Sequence, residues 1–343
     1  MKLGLGYKKV IVLASLISLL LLFLLPKNLS ESLYGKGIYV LVRILFNLVS
    51  FIPFPIIYIW IALCIYLIWR LFAKSGSIKI IGISILKGLY WGIALFYFMW
   101  GFNYSRPSFG EKYPLEQASM DSISWANEIF FAKNQLEASR PKQLKEYKLA
   151  DIEKLVRNNV KAVTADFGYV VPGRIRVKPL WPKGTLLRIK TAGFYLPHAG
   201  EAYIDPGLHP IQQAYTLAHE MCHGYGVTDE GACNFLAYLA LYNTMDSTIR
   251  YSAHMAYYRY VAGEYRFRFP RSYKAIRDSL SLTIQNDLDE INANLSKYPD
   301  FFPKWRDKIY ENYLQMQGIK EGMASYDNVI GYVRQYRNAG RIK

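Results

Sequence analysis

The residues best suited to chemistry are crowded into one stretch. All five histidines of this 343-residue chain (His198, His209, His219, His223 and His254) fall within 57 positions. Inside that window the run AYTLAHEMCHGYGVTDEGACNFLAYLA contains His219-Glu220-Met221-Cys222-His223, an HExxH. Helix positions four apart are separated by about 40° and one turn of rise. Both imidazoles can therefore hold one metal ion from a single helix face. Glu220, next to the first of them, can reach water beside the ion rather than the ion itself. A zinc hydrolase needs this arrangement, with the carboxylate as general base.

Two histidines need a third ligand. Thr228 or Asp229 can cap a second helix, which puts Glu230 in its first turn. A short turn at Gly224–Gly226 lets that helix fold back, so Glu230 can complete a His₂Glu site with one open position. Asp229 competes for the role but lies about 100° round the helix, so both carboxylates cannot reach one ion. His254 is the other substitute. Asn234, four residues after Glu230, can hold a ligand imidazole by its second nitrogen. The remaining histidines read more simply. His198 sits in an expected solvent-exposed turn, and His209 precedes Pro210 as a helix cap. His254 shares a helix with Tyr251, Tyr257, Tyr258 and Tyr260 and reads as part of a packed stripe, with oxyanion donation as a second role. Cys222 and Cys233 read as small buried thiols.

These residues need a scaffold of about 240 residues, which follows a very different first third. Residues 1–102 carry ten Lys/Arg and one acid, Glu31, whereas the rest mixes both signs. Apolar spans are expected near 10–26, 51–70 and 81–102, each close to the length a bilayer core requires. Residues 36–50 look amphipathic and suit the membrane interface. Lys2, Lys8 and Lys9 precede the first span, and Arg70, Lys74 and Lys79 fill the loop between the second and third. By the positive-inside rule both flanks are cytoplasmic, and residues 103–343 are then expected on the far side of the membrane. The net charge of +16 is accounted for largely by these membrane flanks, so no nucleic-acid partner is expected.

Residues 103–343 read as α+β, mostly helical. Helices are expected at 123–138, 142–166, 210–224, 228–245, 247–265, 271–297, 303–317 and 324–338. Between them RIRVKPLW, TLLRIKTAGFYLP and EAYIDP alternate with period two and predict a small β-meander, with EAYIDP as the edge strand lining the cleft. GFYLP is a strand that can take up substrate backbone by augmentation. The expected division is a membrane domain, 1–102, and an extracytoplasmic domain, 103–343.

HEMCH followed by Glu230-x-x-x-Asn234 resembles the gluzincin class of zinc metallopeptidases. That resemblance implies a zincin-like domain with Zn²⁺ on His219, His223 and Glu230, and Glu220 as catalytic base. Asn234 stands where the class usually has Asp, and the gap from His223 to Glu230 is shorter than in thermolysin-like members. Over nearly its full length the chain also resembles the domain of unknown function 3810 (DUF3810) family of bacterial membrane proteins. WGFNYSRPS, GFYLPHAGEAYIDP, AHEMCHGYG, DEGACNFLAY and GMASYDNVIGYV carry that likeness, which implies no substrate. The function expected is a membrane-anchored zinc metallopeptidase acting on peptides or proteins. A non-catalytic metal-binding membrane protein and an amidase of cell-envelope components are the alternatives.

Overall fold

The computed structural model describes residues 24–74, 77–115, 120–301, 308, 312 and 328–342. The chain is mostly helical with one small sheet. It divides into two units. The first holds the described residues up to Pro107 together with Leu196–Glu201; the second holds the rest.

The first unit contains three helices long and apolar enough to cross a membrane: α1 (Lys27–Val49), α2 (Ile57–Lys74) and α3 (Ile78–Met99). Helices α2 and α3 match the expected spans near 51–70 and 81–102. The expected span near 10–26 lies almost wholly outside the described residues. Helix α1 is a difference, because it takes the stretch 36–50 into a continuous 23-residue helix. Two of its charged side chains are engaged within the unit. Arg106 grips Glu31 through two hydrogen bonds, Nε–Oε2 at 2.7 Å and Nη2–Oε1 at 3.0 Å. Buried Arg43 donates from Nη1 to the Gly200 carbonyl at 3.1 Å. The Arg106 guanidinium lies where a Cβ on Gly35 would stand, 2.5 Å from Nε, so that position has no room for a side chain. On α2 and α3, Ile65, Trp69, Phe72, Leu86 and Ile93 are among many exposed large apolar residues, a surface that suits lipid.

The turn at 196–201 belongs to this unit. His198 Nε2 lies 3.0 Å from the Gly92 carbonyl, and Trp60 Nε1 donates to the His198 carbonyl at 3.2 Å. His198 is thus half-buried against α2 and α3, not a solvent-exposed turn residue. Gly200 takes φ +64, and a Cβ there would meet Phe46 at 2.2 Å, so both the backbone and the packing call for glycine.

In the second unit, α4 (Ser122–Ser139) and α5 (Leu149–Asp166) precede strand β1 (Arg176–Pro179). Strands β2 (Gly193–Leu196) and β3 (Glu201–Ile204) follow. Then come α6 (Pro210–Gly224), α7 (Glu230–Leu241), α8 (Ser247–Arg268), α9 (Pro270–Asp278), α10 (Leu282–Ser296) and α11 (Asn328–Asn338). The expected helix at 271–297 is two helices, broken at Ser279–Ser281. Most of the helix expected at 303–317 lies outside the described residues.

The sheet order is β1-β3-β2. Strand β3 is therefore central, a correction to its expected edge position, and β2 is the outer strand. All four β3 residues are buried, as a strand covered on both faces requires. Leu187–Ile189, expected within a strand, forms a 3₁₀ turn. The turn is pinned by Asp205 just beyond β3. The buried Asp205 carboxylate accepts from the amides of Gly184 (2.7 Å), Leu186 (2.8 Å), Leu187 (3.2 Å) and Gly207 (2.6 Å).

Helices α6 and α7 form the centre of the core, with every described residue of α7 buried. Buried ion pairs brace the shell around them. Glu128 of α4 is fully buried and receives Arg337 at 2.6 and 3.1 Å and the Tyr257 hydroxyl at 2.6 Å. That contact ties α4, α8 and α11 together. Arg140 and Tyr251 converge in the same way on Asp287. Removing one partner of such a pair costs about 3–5 kcal/mol, because a charge is left buried and uncompensated.

Candidate metal centre

Helix α6 opens with His209 at its N-cap and Pro210 in its first turn, where a missing amide donor is harmless. It ends at Gly224. The chain then reverses at Gly226 (φ +91) and enters α7 two residues after Val227–Thr228. Gly224 has no room for a side chain, since a Cβ there would stand 2.8 Å from Ile175. Asp229 caps α7, its carboxylate accepting from the Ala232 amide at 2.6 Å. That leaves Glu230 in the first turn, facing α6.

Three donor atoms then converge. His219 Nε2 and His223 Nε2 are 3.1 Å apart. Glu230 Oε2 is 3.1 Å from the first and 3.2 Å from the second. Both rings are fixed from behind. His219 Nδ1 lies 2.8 Å from Asn234 Oδ1, and His223 Nδ1 lies 2.9 Å from the Val227 carbonyl. Each acceptor requires a proton on Nδ1, which turns the Nε2 lone pair of a neutral ring toward Glu230. The Asn234 backbone is held in turn, because its main-chain carbonyl accepts from the Tyr215 hydroxyl at 2.9 Å.

Electrostatics point the same way. Burial by itself pulls the His223 imidazole down, but the adjacent Glu230 carboxylate outweighs it and holds the ring up at about 9. Burial works to raise Glu230, and the two imidazoles override it, keeping that carboxyl well below its ordinary range. The Glu230 carboxylate thus favours positive charge on the side of the imidazoles that faces it. Tetrahedral arms of about 2.0–2.1 Å place donor atoms roughly 3.3 Å apart, so the observed 3.1–3.2 Å spacing fits a small cation with little movement.

Glu220 sits beside this cluster without joining it. It is 5% exposed, and its Oε2 has no hydrogen-bond partner among the described residues. Burial raises its carboxyl above the ordinary value. Strand β2 passes directly over it: a Cβ on Gly193 would lie 3.1 Å from both Glu220 Cγ and Oε1. Gly193 and the Val227 carbonyl are the two features of the site that sequence reasoning missed. A glycine at the start of a strand beside HExxH was the available signal for the first; a backbone carbonyl leaves none.

The model of the family described as "Protein of unknown function (DUF3810)" matches residues 34–333. The chain belongs to the DUF3810 family. The matched span holds α6 and α7 whole, and with them every residue of the cluster. No curated protein and no solved structure matches the chain.

The other histidines lie elsewhere in this DUF3810 chain. His254 is packed under Tyr238, whose hydroxyl is 3.3 Å from Nδ1, and its Nε2 lies 3.2 Å from the Tyr242 carbonyl. Burial lowers its ring to about 4. His209 is spent on its cap, 3.4 Å from the Ile211 amide. Cys222 and Cys233 are separate buried thiols. Burial pushes Cys222 up to about 12 and raises Cys233 as well, which makes both poor thiolate ligands.

Proposed function

We propose that the chain is a membrane-anchored zinc metallohydrolase, and specifically a metallopeptidase. One observation carries the reading: two imidazoles and a carboxylate aim three donor atoms at one point beside buried Glu220, whose Oε2 has no hydrogen-bond partner among the described residues. A site with three protein donors keeps a coordination position open, as catalytic zinc sites do, whereas structural sites are closed by four. His219, His223 and Glu230 would hold the ion. Zn²⁺ bound there supplies Lewis acidity that activates water and polarises a carbonyl.

The rest of the chemistry belongs to the chain. Glu220 takes a proton from the attacking water and passes it to the leaving amine. Its burial favours this role, because a carboxylate with a raised pKa is a stronger base. Gly193 leaves the carboxylate covered yet unobstructed. The outer position of β2 supports a peptide as substrate, since an extended backbone can add to such a strand within reach of Glu220.

The test uses the full-length protein purified in detergent. About one zinc per chain is expected, together with chelator-sensitive cleavage of a fluorescence-quenched peptide library. His219→Ala combined with His223→Ala should lose both. A wild-type protein that binds no zinc would overturn the reading.

We also propose that residues 103–343 face the periplasm. The support is local: Arg70, Lys74 and Lys79 flank the α2–α3 connection, and α3 alone separates that connection from the second unit's sequence. The side therefore does not depend on how many spans precede α2. A reporter that works only outside the cytoplasm should be active when fused at Lys343 and silent near Ser75. The reverse pattern would place the metal cluster in the cytoplasm.

A further inference from the structure

His254 belongs to a second site. It forms the buried floor of a cleft of about 480 Å³ in the second unit, a volume in the range of small-molecule pockets. The walls come from four places in the sequence. Gln135 and Ser139 end α4, Asn243 follows α7, and Arg250 and Arg341 stand at the start of α8 and beyond the end of α11. No carboxylate lines the cleft. We propose that this cleft binds a small molecule through a phosphate or carboxylate group held between Arg250 and Arg341.

The two guanidinium groups are fixed without being neutralised. Arg250 Nη1 donates to the Thr244 carbonyl at 2.8 Å. Arg341 packs over the Tyr336 ring, 5.3 Å from its centroid. Neither is paired with an acidic side chain among the described residues. The acid one turn before Arg250, Asp246, is already engaged by Lys145 at 3.0 Å and by the Tyr147 hydroxyl. A guanidinium has five donors, so each retains several for an oxyanion, and paired guanidinium–oxyanion contacts are the strongest charge-assisted hydrogen bonds available. His254 contributes shape rather than charge. Its two nitrogens are committed to Tyr238 and Tyr242, and its lowered pKa keeps it neutral near pH 7. Asn243 is exposed at the rim and adds an amide donor.

The proposal is independent of the metal reading, and its test keeps the two apart. Full-length protein in detergent is melted in a zwitterionic buffer at constant ionic strength, with 10 mM inorganic phosphate, 10 mM succinate or neither. At least one anion should raise Tm by about 2 °C or more, the shift a ligand well above its Kd produces in a chain of this size. Phosphate alone would assign a phosphate group, succinate alone a carboxylate, and both an oxyanion of either kind. The shift should vanish in the Arg250→Gln, Arg341→Gln double variant. It should also vanish in Asn243→Asp, an exposed substitution that keeps the fold while setting a negative charge at the rim. It should persist in His219→Ala. No shift with either anion, a shift retained in both cleft variants, or a shift lost in His219→Ala would each overturn the proposal.

Discussion

Glu220→Gln is expected to keep zinc and to lose hydrolysis by at least about 10²-fold, the lower end of what a positioned general base contributes. The amide has nearly the same shape as the carboxylate, and Glu220 makes none of the contacts that hold His219, His223 and Glu230 together. Metal affinity and thermal stability should therefore change little. Stability has reason to rise slightly, because the variant removes a buried carboxylate with an unpartnered oxygen. The measurements are zinc stoichiometry, Tm and kcat on the same preparation. A Gln variant with wild-type kcat would exclude Glu220 as the base, whatever the metal content.

Glu230→Ala is expected to weaken zinc binding far more than any change at the neighbouring candidates. Its Oε2 is 3.1–3.2 Å from both imidazoles, so the change removes one of three donors and a negative charge in direct contact with the pair. Asn234→Ala should cost less, about 10–100-fold, the usual effect of losing the group that orients a ligand. Asp229→Ala should leave affinity almost unchanged. It should instead lower stability by about 0.5–2 kcal/mol, because the lost group is the α7 cap. His254→Ala should also spare the metal, since both its nitrogens are engaged by Tyr238 and Tyr242. Isothermal titration of the four variants gives the order directly. Abolished binding in His254→Ala with Glu230→Ala intact would mean that the three-donor cluster described here is not the metal site.

The local features of this protein were legible in its sequence because they depend on neighbours within a turn or two. The His219/His223 spacing places both rings on one helix face by helix geometry alone. Pro210, Gly224 and Gly226 bracket α6 through backbone preferences that act locally. The apolar runs that became α2 and α3 follow from composition and length.

Whatever depended on distant partners was decided by tertiary structure. Residues 36–50 read as interfacial because their pattern is amphipathic, yet Arg43 is buried against Gly200, 157 positions away. His198 reads as a solvent-exposed turn residue, yet Trp60 and Gly92 bind it from distant helices. The strand order was invisible in the alternation of EAYIDP, since period two says which face is buried and not which neighbour pairs. The third donor shows the division most clearly. Asp229 is the N-cap of α7 and Glu230 lies in its first turn, and the sequence left them in competition. The packing of α7 on α6 sets the rotation of α7 about its axis, with Asp229 held on the Ala232 amide and Glu230 turned toward the imidazoles. That rotation arises from how α6 and α7 pack, a property of the assembled core that no local pattern of residues encodes.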